Sequence, residues 1–412
     1  MSEWEKYKLG DIAEINPKVS LSKEEEYSFV EMKDLNPSSK YVTPSVKCEL
    51  KGGSKFQNKD TLFARITPCL ENGKICQVKD LENNQGIGST EFLVFRGKNN
   101  ISDTDFVYYL VRTDYVRNNA IQMMTGTSGR QRVEKSALAE LEVTIPDLPT
   151  QTQIAQILTS FDDKIELLGQ MNQTLETMAQ TIFKEWFVDF NFPGFDGELV
   201  EGLPKGWRKG KLGEMCYVQN GYAFKSDDLR NFGDDGIIKI KNISNKQVDI
   251  INTQFVLKTV SEKVDLKFKV KSGNILIAMT GAEVGKIGLV PKNDKDLWLN
   301  QRVGNFIEKI KFSKWFVFLI LIQDEYQGLL FSSASGSAQP NISASQIEDI
   351  EITIPNMKTT KEFGIMVNPF FEKILENQYQ IRTLTHLRNS LLPKLMGGEA
   401  GCEKNNISLQ IR

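Results

Sequence analysis

Apolar residues recur at every third or fourth position over two long stretches of the chain. The first series is Ile157, Phe161, Ile165, Leu168, Leu175 and Ile182, and the second includes Phe370, Ile374, Leu384 and Leu391. This spacing aligns the apolar side chains along one stripe of an α-helix and is typical of a coiled-coil seam. It predicts two long helices, residues 147–190 and 356–397, the first rich in acidic and the second in basic residues. We expect them to pack antiparallel.

Each predicted helix follows a short strand-like segment that ends in Ile-Pro. The two segments are LEVTIP at 141–146 and IEITIP at 350–355. Thr150 with Gln153, and Thr359 with Glu362, then have the spacing of a capping box, so the threonines are expected to cap the helices. Pro369 is expected to kink the second helix or delay its start.

The segments before the helices also match in order. KLGDI at 8–12 corresponds to KLGEM at 211–215, and TLFARIT at 61–67 corresponds to NILIAMT at 274–280. Apolar segments at 106–111 and 315–322 read as buried helices, and each is followed by a Gly/Ser-rich loop. A repeat on this scale predicts an architecture of duplicated units.

We therefore predict an α+β protein in which two tandemly repeated globular α/β domains are separated by two long antiparallel coiled-coil helices. The domains are expected at residues 1–146 and 207–355, with a Gly/Pro-rich linker at 191–206 and a flexible tail at 398–412. Two equivalent units, each followed by a helix of an antiparallel pair, would lie at opposite ends of a rod.

Charge and composition exclude several classes of protein. Basic and acidic residues number 51 and 53, so a nucleic-acid surface would have to be a local patch. Five cysteines without a C-x-x-C pair, and one histidine, predict no metal site and a reducing, cytoplasmic setting. The longest apolar run, residues 315–322, is too short to cross a membrane. No phosphate-binding loop or complete methyltransferase loop occurs.

The whole order of segments resembles the specificity (S) subunit of type I restriction-modification systems. The resemblance covers about residues 4–396 and rests on KLGDI, KLGEM, GSTEFLVF at 88–95, LNQRVG at 299–304, SGSAQPNIS at 335–343 and the paired Ile-Pro helices. It implies two target recognition domains, each reading one part of a split double-stranded DNA site. It also implies that the helices act as a ruler and as the docking surface for two methylation subunits and for restriction subunits.

The resemblance further implies a chain without catalysis of its own. S-adenosylmethionine, ATP and Mg would belong to the partner subunits, and this chain would hold no cofactor. The two units differ strongly in sequence, so the target is expected to be asymmetric and bipartite. Other readings stay open: the recognition subunit of a related methyltransferase or fused-type restriction system, an independent enzyme, or a coiled-coil adaptor with sugar- or protein-binding heads.

Candidate DNA contacts lie mainly in the two Gly/Ser-rich loops. Bases are read in the major groove by Arg or Lys on guanine and by Asn or Gln on adenine. The candidates are Arg130, Gln131 and Arg132 in the first unit, and Gln301, Arg302, Gln339 and Asn341 in the second. The alternative role of Arg132 and Asn341 is to turn or cap the chain before the next strand.

Two lysines that follow glycines are candidates for phosphate contacts. Lys74 and Lys286 occupy equivalent places in the repeat, and Arg65 and Thr67 lie shortly before the first of them. Phosphate contacts would position the protein on DNA without specifying sequence. A solvated turn lysine is the competing interpretation.

Overall fold

The chain forms two compact units with the same plan. The computed structural model describes residues 4–22, 25–50, 52–127, 129–334 and 340–397. The units are Met1–Leu167 with Thr383–Arg412, and Leu168–Arg382. Each unit combines sheets, short helices and part of both long helices, which confirms the predicted fold class. The boundaries between the units lie inside the two long helices, at 167/168 and 382/383. The predicted domains instead treated each long helix as a segment of its own. The predicted tail, 398–412, lies outside the described residues.

The first unit begins with a strand and ends its globular part with a strand. Its strands are β1 (Glu5–Lys8), β2 (Ala13–Ile15), β3 (Glu26–Val30), β4 (Tyr41–Val42), β5 (Val46–Glu49), β6 (Ser54–Phe56), β7 (Thr61–Ala64), β8 (Ile75–Val78), β9 (Gly86–Gly88), β10 (Phe92–Gly97) and β11 (Glu142–Ile145). Its helices are α1 (Leu9–Ile12), α2 (Thr104–Arg112), α3 (Asp114–Gln122) and α4 (Lys135–Ala139), with a 3₁₀ turn at Glu82–Asn84. The long helix α5 (Leu148–Phe187) follows β11 and continues into the second unit.

The second unit repeats this order after a small hairpin inside the predicted linker. The hairpin is β12 (Leu199–Val200) and β13 (Leu203–Pro204). The remaining strands are β14 (Arg208–Lys211), β15 (Cys216–Asn220), β16 (Asp235–Ile238), β17 (Ile243–Ser244), β18 (Lys246–Val248), β19 (Gln254–Val256), β20 (Lys269–Val270), β21 (Ile275–Ala278), β22 (Ile287–Leu289), β23 (Leu297–Leu299), β24 (Val303–Glu308) and β25 (Glu351–Ile354). The helices are α6 (Lys258–Ser261), α7 (Lys314–Leu321), α8 (Asp324–Ser333), α9 (Ala344–Glu348) and the long α10 (Met357–Met396). Short 3₁₀ turns lie at Leu212–Glu214, Ser226–Asp228, Ile240–Asn242, Leu266–Phe268 and Gly281–Glu283.

The two units share the arrangement of their sheets, and the second unit has one additional edge strand, β17. The larger sheet has the order β2-β10-β7-β8-β4 in the first unit and β15-β24-β21-β22-β18-β17 in the second. The smaller sheet has the order β5-β3-β9-β6 in the first and β19-β16-β23-β20 in the second. In both smaller sheets the central pair is parallel and the outer pairs are antiparallel. The repeat in the sequence is therefore a repeat of the fold.

The Ile-Pro segments close the units. Strand β11 pairs antiparallel with β1, where Glu5 faces Ile145, and β25 pairs in the same way with β14, where Arg208 faces Ile354. The proline after each strand lacks a backbone N–H and cannot extend the ladder. Helices α5 and α10 begin two residues after these prolines.

Asp147 and Asn356 cap the two long helices. The backbone amide of Thr150 donates to Asp147 Oδ1 at 3.1 Å, and that of Thr359 donates to Asn356 Oδ1 at 2.8 Å. A side-chain acceptor three residues before the amide is the usual N-cap arrangement. The predicted caps at Thr150 and Thr359 are therefore wrong, because the residue directly after each proline is the N-cap of the helix. Helix α10 is assigned without a break from Met357 to Met396, so Pro369 does not delay it.

One apolar core in each unit joins the larger sheet, a buried helix and the long helices. In the first unit, Phe106–Val111 of α2 are buried in a cluster that also contains Leu158 of α5 and Leu395 of α10. In the second, Trp315–Leu321 of α7 are buried with Phe363 of α10. Both apolar segments are thus buried helices, as predicted.

The helices pack antiparallel within the second unit. Asn172 and Phe183 of α5 contact Asn377 and Phe363 of α10, so residue numbers rise on one helix as they fall on the other. Of the predicted seam residues, Phe161, Leu168 and Ile374 are buried. The others are half-buried: Ile157, Ile165, Leu175, Ile182, Phe370, Leu384 and Leu391.

A buried polar network attaches the long helices to the globular part of the first unit. The ammonium of Lys40 is fully buried and donates to Thr159 Oγ1 at 2.7 Å. Asp162 accepts from the Tyr109 hydroxyl at 2.6 Å and from the Arg388 guanidinium. A buried charge is tolerated only when it is paired and hydrogen-bonded. These contacts therefore fix how α5 and α10 meet α2 in this unit.

The Asn172–Asn377 pair gives a stability prediction. Asn377 is fully buried, and its Nδ2 donates to Asn172 Oδ1 at 2.9 Å. Asn172→Leu alone should lower the free energy of unfolding by about 1–3 kcal/mol, because the buried Asn377 amide loses its acceptor. Changing both residues to Leu should be neutral or stabilising, because no unpaired amide then remains in the interface.

Denaturant unfolding of the full chain measures both effects. Gln173→Leu, on an exposed position of the same helix, is the control and should change stability by less than about 0.5 kcal/mol. A double variant that is less stable than Asn172→Leu would contradict the assignment.

Candidate nucleic-acid interface

Three loops meet at equivalent places in the two units. We call each group the loop cluster: residues 64–67, 89–91, 125–127 and 129–133 in the first unit, and 278–281, 300–302 and 340–342 in the second. In the first, the Arg65 amide donates to Glu91 O at 3.0 Å, and the Val133 amide to Arg65 O at 2.9 Å. In the second, the Met279 amide donates to Arg302 O at 3.0 Å, and the Ile342 amide to Met279 O at 2.9 Å. The same backbone scaffold thus carries different side chains.

An acidic side chain joins two arginines in the first loop cluster. The guanidinium of Arg132 donates through Nε to Glu91 Oε2 at 2.9 Å and through Nη2 to Oε1 at 2.7 Å. Arg65 Nε donates to Glu91 Oε2 at 3.3 Å. Bidentate arginine–carboxylate pairs hold both planes in a defined orientation. The two predicted arginines are therefore brought together by a residue that was not predicted.

The arginines also set the protonation of Glu91. Hydrogen bonds from Arg132 hold the pKa of Glu91 below its ordinary value, and the charge of Arg65 acts in the same direction. Partial burial of the carboxyl opposes this effect. Glu91 therefore keeps its charge to a lower pH than an isolated glutamate does.

The other predicted residues of the first loop have backbone roles or are exposed. The amide of Gln131 donates to Thr67 Oγ1 at 3.2 Å, and the amide of Thr67 donates back to Gln131 O at 3.1 Å. Arg130 is exposed, and its carbonyl accepts from Arg132 Nη1 at 3.3 Å. Thr67 therefore holds the loop in place, whereas Arg130 is presented to solvent.

The second loop cluster lines an open concavity of about 560 Å³. Gln301, Arg302 and Asn341 are exposed on its wall, next to Asn220 and Thr280. A short antiparallel bridge between Thr280 and Asn341 matches the bridge between Ile66 and Arg132 in the first unit. Gln339 lies outside the described residues.

The two predicted phosphate-binding lysines are engaged elsewhere. Lys74 Nζ donates to the backbone carbonyl of Met32 at 2.7 Å, and Lys286 pairs with Glu283 three residues earlier. The backbone carbonyls of Lys74 and Lys286 accept hydrogen bonds from the amides of Ala64 and Ala278 at 3.1 and 2.9 Å, so both lysines adjoin a loop cluster although their side chains have other partners. Their proposed contact with phosphate stays a prediction, and it would require these side chains to leave their present partners.

Within the part of the chain that the structure describes, no group of three or more His, Cys, Asp or Glu side chains is suited to a metal ion. Among the same residues, no helix has the length and apolar character needed to cross a membrane.

The chain contains two α/β units that present polar loops on equivalent backbones. Along the chain, each globular part is followed by a long helix. This arrangement is that of a tandem recognition protein. A family model described as "Type I restriction modification DNA specificity domain" matches residues 1–177 and again 204–384. The chain therefore belongs to this family of DNA specificity proteins, which confirms the resemblance drawn from its motifs.

Individual relatives agree with this assignment. The type I restriction enzyme HindI specificity subunit of Haemophilus influenzae is 28% identical, over 97% of this chain and 100% of that protein. The MjaIX specificity subunit of Methanocaldococcus jannaschii is 29% identical, over 73% of this chain and 70% of that protein. The crystal structure of a type I restriction-modification S subunit from M. genitalium has the same fold, with a TM-score of 0.62, 16% identity and coverage of 96% of both chains.

Glu91 was not predicted as a site residue, because a single glutamate before a strand is not in itself a sign of function. Comparing the two copies of the repeat could have identified it. Glu91 directly precedes β10 and Arg302 directly precedes β24, so aligning these strands places opposite charges at one position of the scaffold.

The pKa of Glu91 predicts a pH-dependent stability. Because this pKa is lower in the folded than in the unfolded chain, the ion pairs stabilise the fold above the unfolded value of about 4.3. That contribution is lost as the pH falls through the folded value. The difference in free energy of unfolding between the unchanged chain and Glu91→Gln should be constant near neutral pH and shrink in acid. A difference that grows in acid would contradict the assignment.

Proposed function

We propose that this chain is the DNA sequence-recognition subunit of a type I restriction-modification complex and has no catalytic activity of its own. Each unit reads one half-site of an asymmetric, bipartite target in double-stranded DNA. The observation that carries the proposal is the pair of loop clusters, in which equivalent backbones display different polar side chains. Direct readout of bases needs such side chains at a fixed depth in a groove.

The long helices have a separate role in the proposal. They connect the units and offer their outer faces to two methylation subunits and to restriction subunits. A repeated fold suits the binding of two copies of one partner, because equivalent surfaces occur twice. S-adenosylmethionine, ATP and Mg act in those partners, and the complex works in the cytoplasm, where its DNA is.

Methylome sequencing tests the proposal directly. Cells that express this chain with its methylation subunit should carry methylated adenine or cytosine in one motif made of two specified segments and an unspecified gap. Cells with the methylation subunit alone should lack the motif. Methylation in one continuous motif, or without this chain, would refute the proposal.

Loss of the two arginines of the first Gly/Ser-rich loop should affect one half-site only. Arg130→Ala with Arg132→Ala removes guanidinium donors from the first loop cluster and should reduce selectivity there by about 5-fold to 150-fold for each bidentate base contact that is lost, since such a contact contributes ~1–3 kcal/mol. The second half-site should be unchanged. The control replaces Lys6 and Lys8, two exposed lysines of β1, by alanine. Equal loss at both half-sites would count against separate reading.

The gap should follow the length of the helices. Seven residues added to α5 and seven to α10, both at the level of the Asn172–Asn377 pair, keep the seam in phase and lengthen each helix by about 10 Å. This corresponds to roughly three base pairs of DNA, at 3.4 Å per step. The methylated motif should therefore keep both specified segments and gain about that much gap. An unchanged gap would show that the helices do not set it.

A further inference from the structure

Arg65, Glu91 and Arg132 form side-chain contacts in addition to the backbone hydrogen bonds that already join their loops. The Thr125 and Arg132 backbones exchange two hydrogen bonds of 2.9 Å, and the Arg65 amide is bonded to Glu91 O. These bonds involve no side chain and hold the loops together. The carboxylate of Glu91 is therefore not needed to close the loops, and its two arginine contacts call for another explanation.

The donors of Arg132 can be counted. A guanidinium has five N–H groups. Nε and one N–H of Nη2 point to Glu91, and one N–H of Nη1 points to the carbonyl of Arg130. One N–H on each terminal nitrogen remains. The Arg132 side chain is 37% exposed, so it is accessible to a ligand.

Guanine offers a matching pair of acceptors. In the major groove its N7 and O6 lie side by side, and a guanidinium can donate to both. A freely rotating arginine loses conformational entropy on binding, whereas one already held by a carboxylate loses less. The orientation that Glu91 imposes on Arg132 thus favours guanine at the single base position that this side chain can reach.

We propose that Glu91 is a specificity-determining residue of the first unit, which positions Arg132, with Arg65 beside it, to read a guanine in the first half-site. This inference rests on the proposed function. Glu91 acts through the arginine and is a positioning residue; it need not touch DNA.

The second unit lacks this arrangement and so should read differently. Arg302 stands at the place of Glu91, Asn341 at the place of Arg132 and Met279 at the place of Arg65. No carboxylate can orient an arginine there through these three positions. An exposed amide at Asn341 suits adenine, which presents one acceptor and one donor. The contrast gives a chemical reason for an asymmetric target.

The test compares Glu91→Gln with the unchanged chain, each expressed with the methylation subunit and followed by methylome sequencing. Glutamine keeps the shape of the side chain and removes the charge that holds Arg132. Preference for one guanine in the first half-site should fall by about 5-fold to 150-fold, which is the selectivity of one bidentate base contact. The second half-site and the gap should not change. The control is Glu82→Gln, which removes an equal charge from the exposed Lys47–Glu82 pair of the same unit.

Base preference separates positioning from a structural role. If Glu91→Gln lowers methylation uniformly while every base preference is kept, or behaves like Glu82→Gln, the inference is wrong. Relaxation at a single guanine, while the second half-site is still read as in the unchanged chain, supports it. If the unchanged chain directs no bipartite methylation at all, the proposed function fails, and the inference fails with it.

Discussion

The antiparallel pairing between the first and last strands of each globular part determines where that part ends and where its long helix begins. Strand β1 meets β11, and β14 meets β25, in the same register. This pairing brings the two ends of each globular part together and places a proline at the point where the ladder must stop. A capped helix then begins within two residues, at Leu148 or Met357. Because the exit is fixed by hydrogen bonds, the direction in which each long helix leaves its globular part is fixed as well.

The same scaffold tolerates very different side chains where no core residue is involved. The loop clusters keep their backbone hydrogen bonds, yet one carries two arginines on a glutamate and the other carries an arginine and an asparagine. The contacts to the long helices differ as well. The first unit uses Lys40, Asp162 and Arg388, whereas the second stacks Trp315 on Phe371 with ring centroids 4.0 Å apart. A repeated fold can therefore keep its shape while both its reading surface and its attachment to the helices diverge.

The features that could be predicted are those that leave a pattern in neighbouring residues. The closing strands and the buried helices have such patterns, and their order along the chain reveals the repeat; the structure confirms all three. The prediction placed the helix caps at Thr150 and Thr359, but Asp147 and Asn356 cap the helices instead. All four side chains can act as caps, and only the path of the backbone after each proline decides which of them does. Glu91 and Arg132 are 41 positions apart, and no periodic pattern links them. Lys74 likewise meets Met32 only in the folded chain.

Separate reading of the two half-sites can be measured by replacing residues 1–146 with the equivalent segment of another family member and sequencing the methylome. The replaced segment contains both strands of the first closing pair, so that pair stays complete within the new segment. We expect a new first half-site, with the second half-site and the gap unchanged. A motif in which both half-sites change, or in which neither does, would show that the units do not read separate half-sites.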